Sequence, residues 1–146
     1  MKNTQNKKYD FYIAAPFFNA EQVTRVELVK SLLENKGLTY FSPKDDSAVE
    51  DINNPENRKR VFKLNHESID ASKGVIAITD GKDPGTLWES GYAFAKGIPV
   101  IYIAFTLGNA PFNLMLAESG VAACRTVEEL KNAINGESIY YKGEIE

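Results

Sequence analysis

Cysteine occurs once in these 146 residues, at Cys124, and histidine once, at His66. One cysteine closes no internal disulfide, so a reducing cytoplasm is the expected setting. One His and one Cys are also too few soft ligands for a structural zinc site. Basic residues are not in excess. Lys and Arg number 17 against 20 Asp and Glu, a net charge of -3, and no basic footprint argues for nucleic acid. No apolar run approaches the roughly 20 residues that span a bilayer, so no membrane partner is expected. The stretch Met1 to Lys8 is polar, carries three lysines and leads into no apolar core, unlike a secretory signal. Repeats, low-complexity runs and linkers are missing too, and the length suits one domain over residues 1–146.

What is present alternates. Tyr9 to Ala15 is an apolar, aromatic and β-branched run, the expected first strand, stopped by Pro16. Asn19 and Gln22 form a helix-start pattern, and Gly37 closes that helix. Leu38 to Phe41 is a short second strand. Ser42 to Asn54 is polar and expected as a long surface loop. Asn54-Pro55-Glu56 opens a helix to about Ser72. Val75 to Thr79 is the third strand, the stretch Gly85 to Gly97 carries a helix with Thr86 as its expected cap, and Val100 to Ala104 is the fourth strand. A short helix at Phe112 to Ala117, a fifth strand at Gly120 to Cys124 and a helix opened by Thr126 and Glu129 follow, ahead of a polar tail. Such alternation predicts an α/β fold, a three-layer α/β/α sandwich on a parallel flavodoxin- or Rossmann-like sheet of about five strands.

In that fold the loops after strands one and three meet at the switch point, where ligands bind. No Gly-x-Gly-x-x-Gly follows strand one. The loop there is Pro16-Phe17-Phe18, too bulky for a diphosphate against the backbone and suited to a flat nucleobase on aromatic faces. The segment after strand three, Asp83-Pro84-Gly85-Thr86-Leu87-Trp88-Glu89, carries the chemistry. Thr86 and Glu89 fit a capping box, with Glu89 bonded back to its own helix start. They fit equally a carboxylate held ionised on a helix's first turn by free amides and the macrodipole, ready to attack a sugar's anomeric carbon. Asp83 can bring a second carboxylate to the same pocket, where like charge raises one pKa. Tyr12 in strand one is a partner for Glu89 if its hydroxyl is buried. Asp80 reads as a solvated turn residue, His66 as a surface residue, Cys124 as packed filling and Trp88 as core or pocket wall.

These residues resemble the nucleoside 2-deoxyribosyltransferase family. The likeness runs from about Phe11 to Leu116. It rests on Tyr12 to Phe18, Phe41-Ser42-Pro43, Val75-Ile76-Ala77, Asp83 to Ala93 and Phe112-Asn113-Leu114-Met115. The resemblance implies a transferase that exchanges nucleobases on 2'-deoxyribose through a covalent deoxyribosyl-glutamate, with retention and with neither cofactor nor metal. On it, Glu89 is the nucleophile, Tyr12 holds the glutamate and Asp83 belongs to the catalytic site. Phe17, Ser47, Asn65, Gly85, Asn113 and Met115 are the implied substrate-binding residues. Members are oligomeric, which implies a homo-oligomer, a dimer or trimer of dimers, in which Asn113 reaches the sugar's 5' end in a neighbour's site. Two positions depart from the pattern. Asn65 stands where many members have an aspartate that handles the base's proton, and an amide cannot protonate a base at neutral pH. Lys44-Asp45-Asp46-Ser47 stands where a base-reading glutamine is common. A hydrolase of deoxynucleosides or their 5'-monophosphates, or a nucleoside-binding module without turnover, are the alternatives these departures keep open.

Overall fold

A computed structural model describes residues 6–146. The first five residues of the polar amino-terminal stretch, read above as unlike a secretory signal, lie outside them. Five strands make one sheet in the order β2-β1-β3-β4-β5, and every neighbouring pair is parallel. They are β1 (Tyr9–Ala14), β2 (Tyr40–Phe41), β3 (Ser72–Ile78), β4 (Val100–Ile103) and β5 (Ala122–Cys124). This is the flavodoxin-like order, and its switch point lies between β1 and β3.

The helices are α1 (Ala20–Asn35), α2 (Pro43–Asp46), α3 (Pro55–Asp70), α4 (Pro84–Ala95), α5 (Leu114–Ser119) and α6 (Val127–Ile134). Their starts follow side-chain chemistry. Asn19 Oδ1 accepts from Gln22 N at 2.9 Å, and Gln22 Oε1 accepts in return from Phe18 N at 2.7 Å. Asn54 accepts from the amides of Glu56 and Asn57 and precedes Pro55, whose missing N–H costs nothing at a first helical position. Thr126 Oγ1 accepts from Glu129 N at 3.1 Å, completing the expected box on α6. Gly37, at φ +69°, takes the left-handed conformation that ends α1.

Several elements differ from expectation; β2 is only Tyr40–Phe41 of the expected Leu38 to Phe41, α5 opens at Leu114 rather than Phe112, and β5 opens at Ala122 rather than Gly120. The polar stretch after β2 is not all loop, because Pro43 starts the single turn α2. Strand β3 starts three residues before Val75. Ser72-Lys73-Gly74 lacks strand-forming side chains, but β1 pairs along it, with Tyr9 opposite Ser72 and Phe11 opposite Gly74. A Cβ on Gly74 would stand 3.0 Å from the Phe11 ring, so glycine there is what lets that ring lie on the strand. Helix α4 starts at Pro84, ahead of Thr86, for a reason given below. The polar tail is docked rather than free: Ile139 bridges to Ala122, Ile145 to Phe112, and Tyr141 is buried against the Phe112 ring at 5.4 Å.

Alternation along the strands sorts two cores. Ile13, Ile76, Ile78, Ile101 and Ile103 face α1 and α6, meeting Val29, Leu33 and Leu130. Tyr12, Ala14, Val75, Ala77 and Tyr102 face the opposite layer, meeting Ile69 of α3 and Ala93 of α4. The period of two therefore directs Tyr12 toward α3 and α4. Among the described residues no helix is long and apolar enough to cross a membrane.

Candidate active site

The carboxyl ends of β1 and β3 open into a cavity of about 630 Å³. The loop after β1 contributes Ala15, Phe17 and Phe18. The segment from α2 onward contributes Lys44, Ser47, Val49 and Ile52. Helix α3 presents Val61, Phe62, Asn65 and His66, at positions i, i+1, i+4 and i+5 of one stripe. Helix α4 and its cap present Asp83, Gly85, Trp88 and Glu89.

The cap on α4 decides where on the helix Glu89 sits. Asp83 Oδ2 accepts from Thr86 N at 2.9 Å and from Thr86 Oγ1 at 3.0 Å, so Asp83 and not Thr86 is the N-cap. The sequence favoured Thr86 because it has a glutamate three residues on; Asp-Pro wins because Asp is as good a cap and Pro is preset for the first helical position. Glu89 consequently lies on the second turn, past the free amides. The capping-box reading of Glu89 is overturned, and so is the argument that the helix terminus holds it ionised.

Glu89 Oε2 instead accepts a hydrogen bond from the Tyr12 hydroxyl, across 77 residues of chain. Burial pushes the Glu89 carboxyl up to about 7; the Tyr12 hydroxyl pulls it down, and the charge of Asp83 pushes it up. Tyr12 is fully buried, and burial together with the Glu89 charge holds its hydroxyl well above the usual tyrosine range. It is therefore a fixed donor. Phe41 stacks on its ring at 5.5 Å with 9° between planes, which locks the hydroxyl in place. Both capping bonds of Asp83 fall on Oδ2, and Oδ1 makes none among the described residues. A Cβ on Gly85 would stand 3.3 Å from that same Asp83 Oδ2, so the bare backbone keeps this wall open.

The far walls are apolar and aromatic. Trp88 is 49% exposed, stacks on Tyr92 at 5.4 Å and meets Phe62 edge-on at 5.4 Å. Tyr92 is anchored by donating its hydroxyl to Asp70 at 2.9 Å. Phe17 packs on Phe18 at 5.2 Å. The wall on the α2 side is held by charge: Lys30 of α1 meets Asp45 at 2.6 Å and Glu27 at 3.2 Å, and Lys44 meets Glu27 and Asp45, each at 3.1 Å. Ser47, just after α2, is buried and donates its hydroxyl to Pro43 O at 3.1 Å.

Of the residues expected at the site, Phe17, Ser47, Asn65, Asp83, Gly85 and Glu89 line the cavity, and Tyr12 holds Glu89 from behind. Asn113 and Met115 do not. Asn113 caps α5, accepting from Met115 N at 2.9 Å and Leu116 N at 3.2 Å, and Met115 is 72% exposed. Two readings need correction. Asp80 is no solvated turn residue; it is buried and accepts from Phe105 N at 3.1 Å and from the amide and hydroxyl of Thr106, each at 2.7 Å. His66 is not a surface residue but part of the cavity wall, packed against Phe62 at 5.0 Å and Tyr92 at 5.9 Å. The α3 stripe of Val61, Phe62, Asn65 and His66 was the signal for it. Cys124 is buried as expected, and burial pushes its thiol up to about 12, which leaves it unreactive. Among the described residues no cluster of three or more His, Cys, Asp or Glu could hold a metal ion.

Known proteins share this fold. The family described as nucleoside 2-deoxyribosyltransferase matches residues 11–135. A 2-deoxyribosyltransferase from the psychrotolerant bacterium Bacillus psychrosaccharolyticus superposes with a TM-score of 0.79 at 29% identity, covering 90% of this chain and 98% of its own. A conserved protein from Enterococcus faecalis shares the fold at a TM-score of 0.71 and 22% identity, over 86% of this chain and 96% of its own. Among curated proteins none matches the chain by sequence.

Proposed function

The chain belongs to the nucleoside 2-deoxyribosyltransferase family, and we propose that Glu89 is the nucleophile with which it moves 2-deoxyribose from one nucleobase to another. The reading rests on one observation: Glu89 is bonded to the Tyr12 hydroxyl and opens onto a cavity of about 630 Å³, rather than closing its own helix.

In the first displacement a Glu89 carboxylate oxygen bonds to the anomeric carbon as the bond to the base nitrogen breaks. The base leaves with the electron pair. In the second, a nitrogen of the incoming base attacks the same carbon from the vacated side and Glu89 departs as carboxylate. Each step inverts, so the net outcome is retention. Tyr12 spends its hydroxyl on one carboxylate oxygen, which fixes the other toward the sugar and keeps the rotamer from turning back to the helix. Asp83 flanks the same sugar and is the second catalytic carboxylate. Phe17 and Gly85 shape the space over the sugar and base, and Ser47 and Asn65 contact the base. No cofactor or metal takes part.

Asn113 and Met115 lie outside their own chain's cavity, on the exposed amino-terminal turn of α5. In a homo-oligomer, a dimer or trimer of dimers, they complete a neighbour's site at the sugar's 5' end. The exposed Leu114 beside them is the apolar surface such a contact would bury.

Incubation with deoxyinosine and free adenine tests the transfer. Hypoxanthine and deoxyadenosine should form together in equal amounts. Hypoxanthine with free deoxyribose and no deoxyadenosine would make the enzyme a hydrolase instead.

A further inference from the structure

Among the described residues, two buried side-chain atoms have no hydrogen-bond partner, Asn65 Oδ1 and His66 Nδ1. They are neighbours in sequence, and both residues line the cavity that Glu89 opens into. An unpaired buried polar group costs about 1–3 kcal/mol, and native proteins carry few of them. Elsewhere this protein satisfies its buried polar groups well, as Asp80 shows with three donors. Two unpaired atoms side by side on one wall mark where a ligand's own donors and acceptors belong.

The chemistry proposed above leaves a requirement unmet. A base that departs from an anomeric carbon carries away an electron pair and leaves slowly unless it takes up a proton. Among the cavity's side chains, Glu89 is occupied as nucleophile and must be ionised, and Asp83 accepts through Oδ2 as the cap of α4 and is committed to the sugar on its other side. Asn65 has no proton to give, and Lys44 is held in ion pairs with Glu27 and Asp45. His66 remains, and imidazole is the side chain that exchanges a proton near neutral pH. Among the described residues no group binds its Nδ1, which leaves that nitrogen without a fixed partner.

We propose that His66 is the proton carrier of this reaction: it protonates the departing base, and its neutral form then takes the proton from the incoming one, while the Asn65 amide holds the base edge beside it. The inference rests on the glycosyl-transfer reading of the same site. The step balances. As the carbon–nitrogen bond breaks, the base nitrogen keeps the pair and gains the imidazolium proton; in the return step the imidazole regains a proton from the incoming base nitrogen as it bonds to the sugar. The charged groups on the elements around it are Glu89 and Asp83 from α4, Lys44 from α2, Lys63 and Glu67 on its own helix, and Asp70 and Lys96 beyond the Tyr92 ring it touches.

His66→Gln and His66→Phe, compared on two donors, test this. One donor is deoxyinosine. The other is a 2'-deoxynucleoside of an N7-methylated purine, whose base is already cationic and leaves as a neutral molecule without a proton. Loss of a proton donor should slow transfer from deoxyinosine by about 10²-fold or more, relative to the methylated donor in the same variant. Equal slowing on both donors would overturn the proposal and make His66 a packing residue, as would undiminished transfer from deoxyinosine. If the unmodified enzyme cleaves neither donor, the glycosyl-transfer reading itself fails.

Discussion

Two acids close to one another in the chain, Asp80 and Glu89, show how a fold separates structure from chemistry. Both follow β3 and both are largely withdrawn from water. Asp80 is 5% exposed and accepts three hydrogen bonds from residues 105 and 106, pinning the loop after β3 to the loop after β4. Glu89 has one donor, Tyr12, a charged neighbour in Asp83 and an open cavity in front of it. An acid surrounded by donors is finished; an acid given one donor and an opening can still react. Burial is common to both, and the number and direction of donors is what differs.

Removing each carboxylate should break the comparison along that line. Glu89→Ala should lower base exchange by about 10⁴-fold or more while its thermal melt stays that of a folded protein. Unchanged exchange would remove Glu89 from the mechanism. Asp80→Ala should do the reverse. It strands the amides of Phe105 and Thr106, so it should cost about 2–3 kcal/mol by urea unfolding, with exchange in the remaining folded protein little changed.

The pH dependence sharpens the contrast. The Glu89 carboxyl is raised from an ordinary 4.5 to about 7, so between these values the folded protein binds the proton more tightly than the unfolded chain. That contribution to stability is complete below about pH 4.5 and is lost as pH rises through about 7. Glu89→Gln removes the titration. Its stability relative to the parent should therefore climb between pH 4.5 and 8, on the order of 3 kcal/mol. A constant difference across that range would mean the carboxyl titrates normally.

The smallest expected effect is at Tyr12. Tyr12→Phe removes the bond that pulls the Glu89 carboxyl down, so the acid limb of kcat/KM, near pH 7 in the parent, should move to higher pH. Exchange at the old optimum should fall about 10-fold, the worth of one hydrogen bond to a charged group. A limb that stays in place would mean that Tyr12 packs rather than positions.

Much of this was legible in the chain. Apolar runs alternating with capped amphipathic segments determine a parallel α/β sheet, because such runs can be buried on both faces only under covering helices. The aromatic Phe17-Phe18 loop and the Asp83 to Glu89 segment marked the ligand edge, because glycine, proline and acid in a loop after a buried strand have few structural uses together. Where competing local signals were equal, sequence could not decide. Thr86 and Asp83 are both good caps, and choosing between them moves Glu89 by a turn. Asp80-Gly81 reads as a solvated turn until β4 is seen beside it with two free amides. His66 looks polar and superficial until α3 is laid against α4, since only the packing of two helices turns a stripe into a cavity wall. The chain by itself thus set the order of the main strands and helices and singled out one acid as a candidate to react. The tertiary structure decided where that acid points, because the hydrogen bond from Tyr12, 77 residues away, exists only once β1 lies beneath α4.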